Sequence, residues 1–401
     1  MEGMKRQQHS AKRGVALIIV LTSVAILAAF SSELSYRAYV DVRTAKNMEK
    51  QVQAYFYARS AMEISRLVIT SQKFVQQILG SMGMGGAHFK VEVWPFASKF
   101  VEVFSTGQLA FAGVPVMQLK GQKGVGVSKG GFKVTVEPED SKVNVAKILR
   151  TSDKHNLVLR LLALLQAADI EGYGIEDQKS TELIANIIDW VDADDNKTEI
   201  ETNGKISSGA GAGENTDYDK YGYKVKNAKF DSVAELNLVS GMTDEIYCKL
   251  SKALTVYRTD KVNVNEADPL LLKALICNSL AGVDPSIACG YGMGLGMGGS
   301  PVDMAVAYID TCRRIKKALF MPPFANAQAF VRLLKSLPEP LNQTVIVDTK
   351  RLLPQIGTGS RVLRIKATGW IGGTGYTMET VIDTLGDNYL YWREYGSSTQ
   401  E

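Results

Sequence analysis

The chain has 401 residues, of which 45% are hydrophobic and 22% charged, a composition that excludes disordered, collagenous and multi-pass membrane proteins. At about 150 residues per domain the length suggests two or three domains with a real core. Its 46 basic and 42 acidic residues leave a formal charge of +4, too small an excess to imply a nucleic-acid polyelectrolyte as partner. The three histidines, His9, His88 and His155, are far apart, and no Cys neighbours one at metal-ligand spacing. That argues against zinc hydrolases and most His-based acid–base catalysis.

The chain opens on a basic stretch, with Lys5, Arg6, Lys12 and Arg13 against Glu2 alone. Val15 to Phe30 then runs without a charge, about 24 Å as a helix, and Ser31 and Ser32 extend it to about 27 Å. Such a segment can just span a bilayer core of about 30 Å. The Lys/Arg bias before it leaves the N-terminus cytoplasmic and the bulk of the chain outside. Three readings compete: a signal peptide cleaved near Ala28-Ala29-Phe30-Ser31-Ser32, an uncleaved anchor, or cleavage after Gly14. In the last, the basic leader 1–14 is lost and the apolar helix stays, beginning at Val15. That is the arrangement of type IV prepilins and pseudopilins, which the segment KRGVALIIVLTSVAIL resembles.

Residues 32–74 contain no Pro or Gly, and Met48, Val52, Tyr55, Met62 and Ile69 recur at helical intervals. One helix over 15 to about 79, roughly 95 Å long, is expected: either an anchor with a coiled-coil stalk, or a spine whose amphipathic half backs a sheet. The Gly-rich segment 81–88 ends it. FKVEVWPFASKFVEVF reads as two short strands, GQKGVGVSKGG (121–131) as a loop and FKVTVEP (132–138) as a strand. No Gly-rich phosphate motif occurs in a strand–helix context. Segments 361–370, 376–385 and 388–395 again read as strands, around a helix-rich block at about 141–340.

In that block STELIANIIDWV (180–191) reads as a helix with Ser180 or Thr181 as N-cap. Its end is crowded with Asp189, Asp192, Asp194 and Asp195, followed by Glu199, Glu201, Glu214, Asp217 and Asp219. Unpaired carboxylates at a helix C-terminus are unfavourable by ~0.3–1 kcal/mol each. A hard divalent cation such as Ca2+ can neutralise them; a solvated acidic loop is the plainer alternative. The loop is not an EF-hand: Lys197 stands where the turn Gly belongs and Asn203 where the bidentate Glu belongs.

EDSKVNVAKIL (139–149) and TDKVNVNEADPLLLKAL (259–275) echo one another. The second resembles the opening of a helix-hairpin-helix or SAM-like fold, with Asn265 able to cap and Pro269 in the first turn. The Gly-x-Gly turn of a DNA-binding hairpin is not supplied at the usual distance, so a structural helical module is favoured and no nucleic acid is expected. Cys248, Cys277, Cys289 and Cys312 cluster in this block; outside the cytoplasm they suggest disulfides, with three pairings open, or else remain free thiols.

Together RGVALIIVL, QAYFYARSAMEISR, VTVEPEDSKVNV, IIDWVDADD, GAGENTDY, FDSVAELNLVSGMTDEIYCKL, KVNVNEADPLLLKAL and RIKATGWIGGTGYTMETVI resemble the type II secretion minor pseudopilin K family. The resemblance implies an α+β pilin-like fold: a long N-terminal helix on a small antiparallel sheet, interrupted by a large α-helical insertion. The expected segments are a leader at 1–14, a spine at 15–80, the first part of the sheet at 81–138, the insertion at 139–340 and the rest of the sheet at 341–401. Most pilin-like proteins carry Glu as the fifth residue after cleavage. Here that position is Ile19, as in K-type subunits. The resemblance also implies cleavage by prepilin peptidase at Gly14–Val15 with methylation, and an inner-membrane anchor with a periplasmic body. It implies a tip complex with the minor pseudopilins I and J, and calcium held by Asp192, Asp194, Asp195, Glu214 and Asp217. A non-enzymatic assembly protein is expected; the alternative is a bitopic periplasmic protein whose helical modules bind DNA.

Overall fold

The structure, a computed structural model, describes residues 3–81, 92–106, 108–111, 114–118, 130–146, 151–170, 172–173, 178–201, 205–257, 261–290, 299–318, 321–386 and 388–398. Over 3–14 and at several other positions, Asp217 among them, it describes the backbone alone. Of the loop expected at 121–131, residues 121–129 lie outside the described residues, as does the segment 82–91, while Gly130 and Gly131 are described and belong to a strand, Gly130–Pro138.

Helix α1 spans Gly3–Thr70 and α2 spans Gln72–Ser81. Ser71 N donates to Leu67 O and Val75 N to Ser71 O, so the helical ladder crosses the boundary and the two form one rod. No Gly or Pro interrupts residues 15–79, and nothing breaks the ladder there. Val15–Phe30 is exposed on all sides. This part of the helix is long and apolar enough to cross a membrane, by length and composition. Further along, Ala54, Ala58, Ala61, Met62, Ser65, Val68 and Ile69 are buried, a stripe at three- and four-residue spacing. Met48 and Val52, expected in that stripe, are exposed on the opposite face with Phe56 and Leu67.

After the rod come a 3-10 turn at Trp94–Phe96, α3 (Ala97–Thr106) and a hairpin of β1 (Gln108–Phe111) and β2 (Val114–Gln118). The strand expectation for this stretch is therefore wrong over 94–104. Buried Trp94, Ala97 and Val101 also satisfy helical spacing, and Pro95 occupies the first turn, where its missing N–H costs nothing. β3 (Gly130–Pro138) follows.

The helical block then runs through β4 (Val143–Asn144), α4 (Thr151–Ala167), α5 (Gln178–Asp189), β5 (Asn196–Ile200), β6 (Ile206–Gly213), α6 (Asp244–Leu250), β7 (Leu254–Thr255) and β8 (Val262–Asn263). It continues with α7 (Pro269–Cys277), α8 (Pro285–Cys289), α9 (Pro301–Ala318), α10 (Ala327–Lys335), α11 (Leu341–Thr344), α12 (Thr349–Leu352) and β9 (Ile356–Gly357). Residues 341–355, expected with the sheet, are thus largely helical. The chain returns to the sheet as β10 (Val362–Ile371), β11 (Thr374–Asp383) and β12 (Asn388–Ser398). The sheet order is β12-β11-β10-β3, antiparallel throughout.

The two Val-Asn-Val echoes adopt the same local form. β4 pairs in parallel with β7, and β8 with β9. Asn144 Oδ1 accepts from Ala146 N and Asn263 Oδ1 from Asn265 N, each at 2.9 Å. Asn265 does not cap α7, because its amide is spent on Phe324 O and Thr358 O at 3.0 Å each. Asp268 caps α7 instead, accepting from Leu270 N, with Pro269 in the first turn. α5 begins at Gln178, so Ser180 and Thr181 lie inside its first turn rather than at its cap.

Two apolar clusters result. One joins α1 and α3 to the sheet; the other fills the helical block.

Candidate metal centre

α5 carries Leu183, Ile184, Ile187, Ile188 and Val191 into the core of the helical block. That packing drives the helix C-terminus, and Asp189 with it, below the surface. Trp190 N donates to Asn186 O, and Val191 N and Asp192 N both donate to Ile188 O. The tightened last turn brings Asp192 alongside Asp189. The hairpin of β5 and β6 closes the site: Asn196 pairs with Gly213, and the next residue, Glu214, is thereby returned to the helix end.

Asp189, Asp192 and Glu214 place one carboxylate oxygen each within 4.8 Å of one another. They are 2%, 7% and 2% exposed. Asp189 Oδ1 accepts from Thr198 N at 3.0 Å, and Asp192 Oδ2 accepts from Lys154 Nζ of α4 at 3.1 Å. Asp192 Oδ1 and both oxygens of Glu214 are buried without a hydrogen-bond partner among the described residues. Burial, and then the neighbouring Asp189 and Asp192, push Glu214 up to about 8. Burial likewise raises Asp189 to about 6, against the Thr198 hydrogen bonds.

An isolated buried carboxylate costs several kcal/mol, and three unfilled oxygens in one cluster need a counter-charge. An all-oxygen, anionic donor set fits a hard divalent ion, and a site assembled from a helix end and loops suits Ca2+ better than the rigid octahedron of Mg2+. The donors present therefore fit calcium. Trp190 packs against Tyr218, Tyr223 and Phe230 beside them, with centroids 5.7, 6.3 and 6.5 Å away.

Asp192 and Glu214 of the expected ligand set come together here. Asp194 and Asp195 are exposed, outside the three-residue cluster. Asp194 Oδ1 is engaged by Asn196 N at 3.0 Å, and Asn227 donates to Asp194 O and to Asp195 Oδ1. The side chain of Asp217 lies outside the described residues. Asp189 was not among the expected ligands, yet it completes the cluster. Its signal lies in its neighbours: it stands between Ile187-Ile188 and Trp190-Val191, an apolar run that carries it below the surface.

Of the four cysteines, Cys277 and Cys289 are joined, with Cα atoms 6.1 Å apart. The bridge links the ends of α7 and α8. Cys248 is exposed and Cys312 half-buried, both free, so a second bridge is absent. Gly14 and Val15 lie within continuous α1, and Val15 is exposed.

A long N-terminal helix, apolar at its start and backed by a small antiparallel sheet, defines a pilin-like α+β protein with a helical insertion. Residues 141–259 match the family model described as Type II secretion system (T2SS), protein K. No curated protein matches the chain. Among solved structures, a chain of the GspK-GspI-GspJ complex from the enterotoxigenic Escherichia coli Type 2 Secretion System is similar at 14% identity and TM-score 0.44. The similarity covers 82% of this chain and 99% of that one.

Proposed function

We propose that this chain is a minor pseudopilin of a type II secretion system. It is anchored in the inner membrane by α1 with its body in the periplasm, and it starts or caps the pseudopilus in a tip complex with the minor pseudopilins I and J. Prepilin peptidase removes residues 1–14, and Val15 becomes the methylated N-terminus. The observation that carries the reading is the division of labour along one rod. Residues 15–30 are exposed among the described residues, whereas the stripe of Ala54, Ala58, Ala61, Met62, Val68 and Ile69 is buried against the sheet side. A helix exposed over its apolar half needs a membrane or other helices to cover it. The outer face with Met48, Val52, Phe56 and Leu67 extends that need beyond the bilayer. Ile19 has no charge to be paired by a subunit above, which suits a terminal position.

The protein acts in assembly, not catalysis: its candidate site is a cluster of three carboxylates suited to holding an ion. Asp189, Asp192 and Glu214 would hold calcium, which supplies positive charge at a negative helix terminus and ties α5 to the loop after β6. N-terminal mass spectrometry of the mature protein tests the processing step: a start at Val15 is expected, and a start at residue 1 or beyond 28 removes the pseudopilin reading. Co-purification with minor pseudopilins I and J tests the partners. For the ion, calcium at 100 times its Kd stabilises by about 2.7 kcal/mol, so an unchanged melting curve over millimolar calcium would count decisively against it.

A further inference from the structure

Buried side-chain oxygens without a hydrogen-bond partner among the described residues include Asp192 Oδ1, both oxygens of Glu214 and Asn227 Oδ1. The first three belong to the carboxylate cluster, and Asn227 is held beside it from two sides. Its Nδ2 donates to Asp194 O at 3.2 Å and to Asp195 Oδ1 at 3.4 Å, in the loop directly after Asp192. Two residues earlier, Val225 N donates at 3.1 Å to Asn215 Oδ1, next to Glu214. Asn227 therefore sits between the two segments that bring Asp192 and Glu214 together. We propose that Asn227 Oδ1 is a neutral oxygen ligand of this cation centre, added to the carboxylates of Asp189, Asp192 and Glu214. The proposal rests on the cation-site reading above.

Chemistry fixes which way the amide points. Only Nδ2 can donate to a carbonyl and a carboxylate, so Oδ1 faces away from Asp194 O and Asp195 Oδ1. A buried amide oxygen left bare is costly, and a hard cation is the partner its neighbours already call for. Ca2+ takes six to eight oxygens, side-chain amide carbonyls among them. An amide oxygen also adds a ligand without adding charge, where Asp189, Asp192, Asp194 and Asp195 already oppose a charge on Glu214. The backbone at Asn227 is left-handed, with φ 48, a region that Gly enters freely and Asp more readily than most residues. Both can therefore stand in its place.

The test is calcium titration of the detergent-solubilised full chain by calorimetry, with europium luminescence lifetimes in H2O and D2O counting the waters on the bound ion. Asn227→Gly, which removes the oxygen, should weaken calcium by at least the ~10-fold that loss of a supporting partner costs, and should add water to bound europium. Asn227→Asp, which keeps an oxygen but loses the Nδ2 donors, should restore calcium affinity and the original water count. Were Asn227 only a tether for the loop at Asp194 and Asp195, Asp would fail as badly as Gly, and that outcome would overturn the proposal. So would an Asn227→Gly protein with unchanged affinity or water count. Either result leaves Asp189, Asp192 and Glu214 standing as a cation site. Absence of calcium binding by the original protein would instead remove the site itself, and the proposal with it. Should Asn227→Gly not fold, Asn227→Ala provides the variant without the oxygen, with the same outcomes.

Discussion

Arg364 Nε donates to Glu139 Oε1 at 2.6 Å, joining residues 225 positions apart. Glu139 stands where β3 leaves the sheet for the helical block, and Arg364 lies on β10, the first long strand after the chain returns. Glu139 is wholly buried. It also accepts from Lys142 Nζ at 3.0 Å and Thr255 Oγ1 at 2.5 Å. Burial works against its ionisation, yet Lys142 and Arg364 hold its carboxyl below the usual range. Arg364 in turn holds Glu379. The charges are therefore paired on both sides.

Breaking such a buried network strands an uncompensated charge and costs about 3–5 kcal/mol. Glu139→Ala should lower the melting temperature sharply. Lys99→Ala, which breaks an i,i+3 ion pair with Glu102 in which both side chains are exposed, should cost no more than about 1 kcal/mol. Chemical denaturation of the two variants side by side checks the contrast, and equal losses would contradict it.

Gly369 on β10 marks the closest approach of the rod to the sheet. A Cβ there would lie 2.4 Å from both Ala54 O and Ala58 N, backbone atoms of α1. Neither can yield without moving the helix. Gly369→Ala should therefore destabilise by at least the ~1–3 kcal/mol of an overpacked core. Gly222, at φ 75 with open space around it, gives a control: an alanine there meets strain but no clash. A Gly369→Ala protein as stable as the original would disprove the contact.

Glu92 accepts from Ser360 N and Trp94 Nε1, each at 2.8 Å. Burial raises its carboxyl to about 7 from 4.5, the two hydrogen bonds opposing the shift and Glu266 and Asp140 adding to it. Because the folded value is the higher, the folded chain holds this proton more tightly than the unfolded one. Its contribution is full below about pH 4.5 and is lost as pH rises through about 7. Glu92→Gln should flatten that part of the stability profile, measured as melting temperature against pH. A profile parallel to the original over the same window would refute the assignment.

The thiols should divide by accessibility. Cys248 is exposed and should react with a thiol reagent in the native state, ahead of half-buried Cys312. The Cys277–Cys289 bridge closes a span of 12 residues, and for a loop of about that size the chain-entropy account gives a loss near 3 kcal/mol on removal. Mass spectrometry after timed alkylation, and melting of Cys277→Ser, check the two parts. Two equally fast thiols would mean that Cys312 is not shielded on α9.

The strands at 130–138 and 362–398 were legible because β-branched and aromatic residues alternate there between clear breaks. The stretch 94–104 was not, since Trp94, Ala97 and Val101 fit either period, and only packing of α3 beside α1 and β3 selected the helix. In the acidic loop the charge excess was plain in the residues, but not which carboxylates would meet. Asp194 and Asp195 look as suitable as Asp189 until burial of the apolar face of α5 takes Asp189 inward and leaves them in solvent.

Taken alone, the order of residues determined the rod, its apolar first half and the basic preface, because helix continuity and membrane compatibility depend on neighbours along the chain. It also determined the alternation of the long strands, for the same local reason. Tertiary structure decided what depends on residues far apart: Glu214 meeting Asp189 and Asp192 through a hairpin, Arg364 finding Glu139, and Cys277 closing on Cys289 alone. Those outcomes follow from which surfaces exclude water together, and no pattern along the chain encodes that distance.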